Sequence, residues 1–148
     1  WVSMCLLCVL TALSSYSGVI MNSIFFIGLI VFILGLSIEI IADYQKTVFR
    51  RNIENKDKFI TTGLWSLSRH PNYFGEILLW TGVAVMSISS LQGLQYITLI
   101  SPIFVYILLV YISGIRILED QAKKKWGHLD SFKEYLKNTP RLFFKIFG

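Results

Sequence analysis

Apolar residues gather into four blocks along this chain, at residues 1–13, 23–42, 71–90 and about 94–115, separated by short polar or small-residue breaks. The block from Ser23 to Ala42 (SIFFIGLIVFILGLSIEIIA) reaches the roughly 20 residues needed to cross a bilayer, and its helical period runs on through Arg51. Asn52 to Thr62 is polar and mixed in charge, which predicts a loop outside the membrane. Pro71 lacks an N–H and has a fixed φ, so it suits a first helical turn, while His70 before it is pushed out of the α region; a helix is predicted to start there and to span residues 71–90. Leu91-Gln92-Gly93 reads as a tight turn, and the next block as a third complete span from about Leu94 to Ile115, kinked at Pro102. Residues 1–13 are short for a span and read as the end of a truncated one, followed by an uncharged connection from Ser14 to Asn22. Beyond the third span, His128 to Lys137 is amphipathic, and the last eight residues, basic and aromatic, suit an anionic membrane surface. The expected fold class is all-α. It is a polytopic membrane helix bundle with three complete transmembrane helices, a truncated N-terminal one and a cytoplasmic amphipathic C-terminal helix.

Composition agrees: 54% of the 148 residues are hydrophobic and only 16% charged, with a mean hydropathy of +0.59. That is too apolar for a soluble unit and enough for one membrane domain, 1–148. The chain opens at Trp1, without a Met and inside an apolar segment, and reads as the C-terminal part of a longer protein. Cys5 and Cys8 have no cysteine partners elsewhere, and His70 and His128 are the only histidines, which argues against a disulfide framework or a metal site. The net charge of +5 comes from residues flanking the spans, so it signals topology and no nucleic-acid partner. Of the fourteen Lys and Arg, six lie between residues 46 and 69 and eight between 116 and 145, while the connections at 14–22 and 91–93 carry none. The positive-inside rule makes both basic segments cytoplasmic.

Two stretches carry candidate chemistry. On the helix opened by Pro71, Asn72 and Glu76 are i, i+4 neighbours with Tyr73 beside them, and Glu76 lies next to residues that belong in hydrocarbon, where a carboxylate is costly. A helix start also suits an anion. The bland reading is that Arg69-His70 anchors the interface. On the preceding helix Glu39, Asp43, Lys46 and Arg50 share one face, which suits either intrahelical ion pairs or a binding stripe. Arg116 with Glu119 and Asp120 forms a third charged set, for which self-pairing is the simple reading.

The block Gly63-Leu64-Trp65-Ser66-Leu67-Ser68-Arg69-His70-Pro71-Asn72-Tyr73-Phe74-Gly75-Glu76 resembles the signature shared by the DUF1295 and steroid 5-alpha-reductase C-terminal membrane families, the sterol C14- and C7-reductases and the isoprenylcysteine methyltransferases. The string Leu118-Glu119-Asp120, Trp126-Gly127, Phe132, Tyr135, Thr139-Pro140-Arg141 is similar to a second motif of that superfamily, with Lys124 where its members often carry Cys. The resemblance covers about residues 30–144. It implies a cofactor region at about 39–141, in which Lys46 and Arg50 hold the phosphates of NADPH and distinguish it from NADH. Ile60 and Trp65 would pack around the cofactor, and Arg69, His70, Asn72, Tyr73, Asp120 and Tyr135 would contact it.

The function so implied is hydride transfer from NADPH to an activated C=C of a steroid, sterol or other lipid, a reaction class in which the cofactor supplies the hydride and the protein a dry, oriented site. Tyr73, Glu76 and Tyr135 are the candidate proton donors. Methyl transfer from S-adenosylmethionine is the alternative, though that cofactor carries no phosphate for Lys46 and Arg50 to hold. A non-catalytic sterol-binding or scaffold module is the third reading. The expected partners are the bilayer and a lipid-like substrate. The expected location is the endoplasmic reticulum membrane in a eukaryote or the inner membrane in a bacterium, with the cofactor site facing the cytoplasm.

Overall fold

The computed structural model describes residues 18–145. The truncated helix expected at residues 1–13, with Cys5 and Cys8, lies outside the described residues. Within them every regular element is helical: α1 (Ser23–Arg51), the short turn α2 (Leu64–Leu67), α3 (Pro71–Ser87), α4 (Ser101–Ile107), α5 (Ile115–Trp126) and α6 (Asp130–Asn138). Three helical stretches, Ser23–Arg51, Pro71–Ser90 and Gly93–Trp126, are long and apolar enough to cross a membrane. The chain is a multi-pass membrane protein. Asn22 caps α1 by accepting from the Phe25 N–H at 3.1 Å, and Pro71 opens α3 with His70 outside the α region at φ −138°, ψ 61°.

The main packing is α1 against α3, antiparallel, and glycine makes it close. Gly28 and Gly35 on α1 meet Gly82 and Gly75 on α3, spaced seven residues, or two turns, along each helix. A Cβ on Gly75 would sit 2.6 Å from the Glu39 nitrogen and 2.7 Å from the Gly35 carbonyl, so the two backbones touch there. Gly75→Leu is expected to force the helices apart and to cost about 1–3 kcal/mol or more, the usual penalty of overpacking. Reversible unfolding in detergent measures this, and an unchanged midpoint would show that the seam tolerates bulk.

The third span departs from a regular helix. It runs as a 3₁₀ segment (Gly93–Ile100), then α4, then a π segment (Leu108–Ile112), and breaks at Ser113 and Gly114. The kink expected at Pro102 does not fall there, because Pro102 occupies the first turn of α4, where its missing N–H costs nothing. The chain bends at Gly114 instead, whose φ of −91° and ψ of −98° lie outside the helical region.

The C-terminal residues make contacts that their sequence did not announce, and residues 146–148 lie outside the described residues. Residues 139–145 run as a strap against the signature block, with Arg69 N–H donating to the Pro140 carbonyl (2.9 Å), Ser68 Oγ to the Leu142 carbonyl (2.8 Å) and Lys145 N–H to the Leu67 carbonyl (3.0 Å). Thr139 and Leu142 are buried. The strap's backbone finds partners within the protein, which satisfies groups that would otherwise be desolvated unpaired.

Candidate functional site

At the end of the bundle where α1 leaves its apolar stretch, α1, the 52–70 loop, α5 and α6 enclose a cavity holding about 150 Å³ of free space. Seven residues expected from sequence line it together: Lys46, Arg50, Ile60, Trp65, Arg69, His70 and Tyr135. Trp65 is fixed by its indole N–H, which donates to the Ala42 carbonyl at 3.0 Å, and the Lys46 ammonium lies 5.2 Å from the centre of its ring. The Tyr135 hydroxyl donates to the Trp65 carbonyl at 2.7 Å, and burial pushes its pKa up to about 12. Tyr135 therefore stays a neutral phenol with its proton already engaged, which suits a positioning part better than an acid. The start of the block is held by Gln45, whose Oε1 accepts from the Leu64 N–H at 3.0 Å. Gly63 sits at φ +63°, and a Cβ there would meet the Gln45 side chain.

Asn72, Tyr73, Glu76 and Asp120 do not line the cavity. The first three form a polar cluster just beyond it, where Asn72 Nδ2 donates to Asp43 Oδ1 at 3.2 Å. The Tyr73 ring stacks on His70, with centroids 5.8 Å apart and planes 8° apart, so the two regions are contiguous through that pair. Asp120 is exposed and makes none of the ion pairs found among the described residues, and neither does Arg116.

The residue that sequence reasoning passed over is Glu119. Its side chain is 14% exposed and faces Arg69 (Nη1–Oε1 2.7 Å), His70 (Nε2–Oε1 3.7 Å) and Arg141 (Nε–Oε2 3.4 Å). One carboxylate thus ties the signature block to the strap. The contacts are ionic and poorly aligned, since Arg69 Nε, Arg141 Nε and Glu119 Oε1 are buried without a hydrogen-bond partner. Sequence held one signal for Glu119: adjacent acids differ by about 100° around a helix, so only one of Glu119 and Asp120 can face inward.

The far wall of the cavity is aromatic. Phe59 touches Trp126 (5.8 Å between centroids), Phe132 (5.0 Å) and Tyr135 (5.6 Å), and the Trp126 indole N–H donates to the Asp57 carbonyl at 2.6 Å. Lys58 and Lys123 line this end. Among the described residues no group of three or more His, Cys, Asp or Glu is arranged to hold a metal.

Burial lowers the pKa of His70 below its ordinary 6.5, with Arg69 and Lys46 acting in the same direction and Glu119 opposing them. A folded-state pKa below the unfolded value gives stability that is full above about pH 6.5 and is lost as pH falls through the lower value. His70→Gln is expected to flatten this part of the acid limb. Thermal unfolding between pH 5 and 8 reads the difference, and parallel curves for the two proteins would show that His70 does not contribute.

A family model described as "Protein of unknown function (DUF1295)" matches residues 1–139. The chain belongs to the DUF1295 family. This DUF1295 chain is similar to a steroid 5-alpha-reductase of Arabidopsis thaliana, with 42% identity over 65 residues, covering 43% of the chain and 24% of the relative. It is also 38% identical over 68 residues to a probable O-methyltransferase of Ustilaginoidea virens, covering 46% and 24%. A probable 7-dehydrocholesterol reductase of Acanthamoeba polyphaga mimivirus is 29% identical over 140 residues, covering 82% and 28%. The chain therefore spans about a quarter of the length of the curated relatives it matches. No solved structure matches it.

Proposed function

We propose that this DUF1295 protein is a membrane reductase that uses NADPH to saturate an activated C=C in a steroid, sterol or related lipid. The observation that carries this reading is the cavity itself, which joins five cations (Lys46, Arg50, Lys58, Arg69 and Lys123) to an aromatic wall beside apolar spans. Phosphoryl groups need such cations, a nucleotide base needs ring faces, and a lipid substrate needs access from the bilayer. With about 150 Å³ of free space the cavity takes only part of a dinucleotide, and the contiguous cluster of Tyr73, Asn72, Asp43 and Glu76 would receive the rest. Bound there, NADPH supplies a hydride. The chain's own residues then orient it, exclude water through the apolar spans and deliver a proton to the substrate, for which Glu76 and Tyr73 are better placed than Tyr135. Asp120, exposed outside the cavity, would act only at its rim. The names of the steroid and sterol reductase relatives support this reading. We place the site on the cytoplasmic side of the endoplasmic reticulum membrane in a eukaryote or the inner membrane in a bacterium, because both basic segments meet at that end of the bundle.

The O-methyltransferase relative favours methyl transfer from S-adenosylmethionine as a second reading. Five cations weigh against it, since that cofactor brings one carboxylate and no phosphate. The complete protein in proteoliposomes, given NADPH and a conjugated steroid enone, is expected to yield saturated ketone and NADP+ in equal amounts. Methylated lipid formed from S-adenosylmethionine, with no NADPH consumed, would overturn the reductase.

A further inference from the structure

The two ends of the cavity differ in chemistry, and the difference assigns its cations. Around Trp65 the Lys46 ammonium lies over the indole and Arg69 faces Glu119, while Arg50, one turn beyond Lys46 on α1, makes no ion pair among the described residues. At the opposite end Phe59 and Trp126 present half-buried rings, with the buried Phe132 behind them. Lys58 is the neighbour of Phe59 in sequence, and Lys123 lies one helical turn before Trp126 on the same face of α5. Neither ammonium has an ion pair or side-chain hydrogen bond among the described residues, whereas the adjacent Lys125 is held by Asp57 at 3.3 Å and Lys133 by Asp130 at 2.7 Å.

Resting on the reading that a dinucleotide occupies this cavity, we propose that Lys58 and Lys123, and not Lys46 and Arg50, recognise the 2′-phosphate of the adenosine half and so set the preference for NADPH over NADH. The adenine is the part of the cofactor that needs an aromatic platform, and Phe59 with Trp126 supplies it. The 2′-phosphate is attached to the ribose next to that base. Its cationic partners must therefore stand on the same part of the lining as the platform. Lys125, whose ammonium lies 5.0 Å from the centre of the Trp126 ring, is held by Asp57, which leaves Lys58 and Lys123 as the unpaired lysines that line the cavity with these rings. The pyrophosphate, one ribose further on, falls toward Arg69, Lys46 and Arg50.

The test is equilibrium titration of the complete protein in nanodiscs with NADPH and with NADH, comparing Lys58→Ala, Lys123→Ala and the double variant with Lys46→Ala and Arg50→Ala. Lys58→Ala and Lys123→Ala are each expected to weaken NADPH roughly tenfold, the loss of one charge-assisted contact at a partly solvated site, and to leave NADH unchanged. The retained NADH affinity shows that these variants are folded. Lys58→Arg should restore most of the preference, and 0.5 M salt should erase much of it. Equal losses for both nucleotides in the Lys58 and Lys123 variants, or an NADPH-selective loss in Lys46→Ala or Arg50→Ala, would overturn the assignment while leaving the dinucleotide reading in place. Wild-type protein that binds neither nucleotide would overturn the reading and this inference together.

Discussion

Glu119→Ala is expected to destabilise the protein by roughly 3–5 kcal/mol, the range for removing one partner from a buried ion cluster. Two guanidinium groups and an imidazole converge on this one carboxylate, and without it Arg69 and Arg141 face each other with no counter-charge. The damage should spread along the chain in a defined way. Arg141 belongs to the strap whose backbone pairs with Leu67, Ser68 and Arg69, so its release loosens residues 139–145 and the signature block together. Hydrogen exchange should show faster exchange at Arg69 and Lys145, whose N–H groups bridge the two segments, while the α1–α3 seam stays protected. Asp120→Ala, one residue away, should cost under about 0.5 kcal/mol, as exposed positions without partners do. Similar losses for the two variants would remove Glu119 from the centre of the site.

Loss of nucleotide binding in Lys46→Ala and Arg50→Ala is the second large effect. Each cation is expected to contribute about 1.5–3 kcal/mol through a charge-assisted contact, so each variant should weaken binding by about tenfold to 150-fold. On the proposed reading these residues would face the pyrophosphate that both cofactors share, so NADPH and NADH should suffer alike, which separates them from Lys58 and Lys123. Stability should change little, since Lys46 and Arg50 make no ion pair among the described residues and Lys46 leaves only a ring contact behind. Fluorescence titration beside thermal unfolding distinguishes a lost ligand contact from a lost fold.

The spans were legible because membrane helices are written in local composition: an unbroken apolar run from Ser23, a proline at the start of α3 and a glycine turn at Gly93, which sits at φ +54°, each act within a few residues. Much of the cavity was legible too, since Lys46, Arg50, Trp65, Arg69 and His70 lie in motifs that fold as local units. What the sequence hid depends on long-range contact. The strap pairs Ser68 with Leu142, separated by 74 residues, and an extended segment that satisfies its backbone against a loop leaves no periodic trace. Phe59 and Lys58 looked like part of a solvated loop because their partners, Trp126 and Phe132, arrive from α5 and α6. Pro102 misled for a related reason. A proline in an apolar run reads as a kink, but where a 3₁₀ segment gives way to an α-helix it is merely a first-turn residue, and the bend passes to Gly114.

The central claim is that this cavity binds a phosphate-bearing dinucleotide, and competition between cofactors tests it most directly. The complete protein in nanodiscs should bind NADPH saturably at one site per chain, with S-adenosylmethionine failing to displace it even in large excess, and with Lys46→Ala weakening the complex. Saturable binding of S-adenosylmethionine that is indifferent to Lys46→Ala, with no binding of NADPH, would contradict the account.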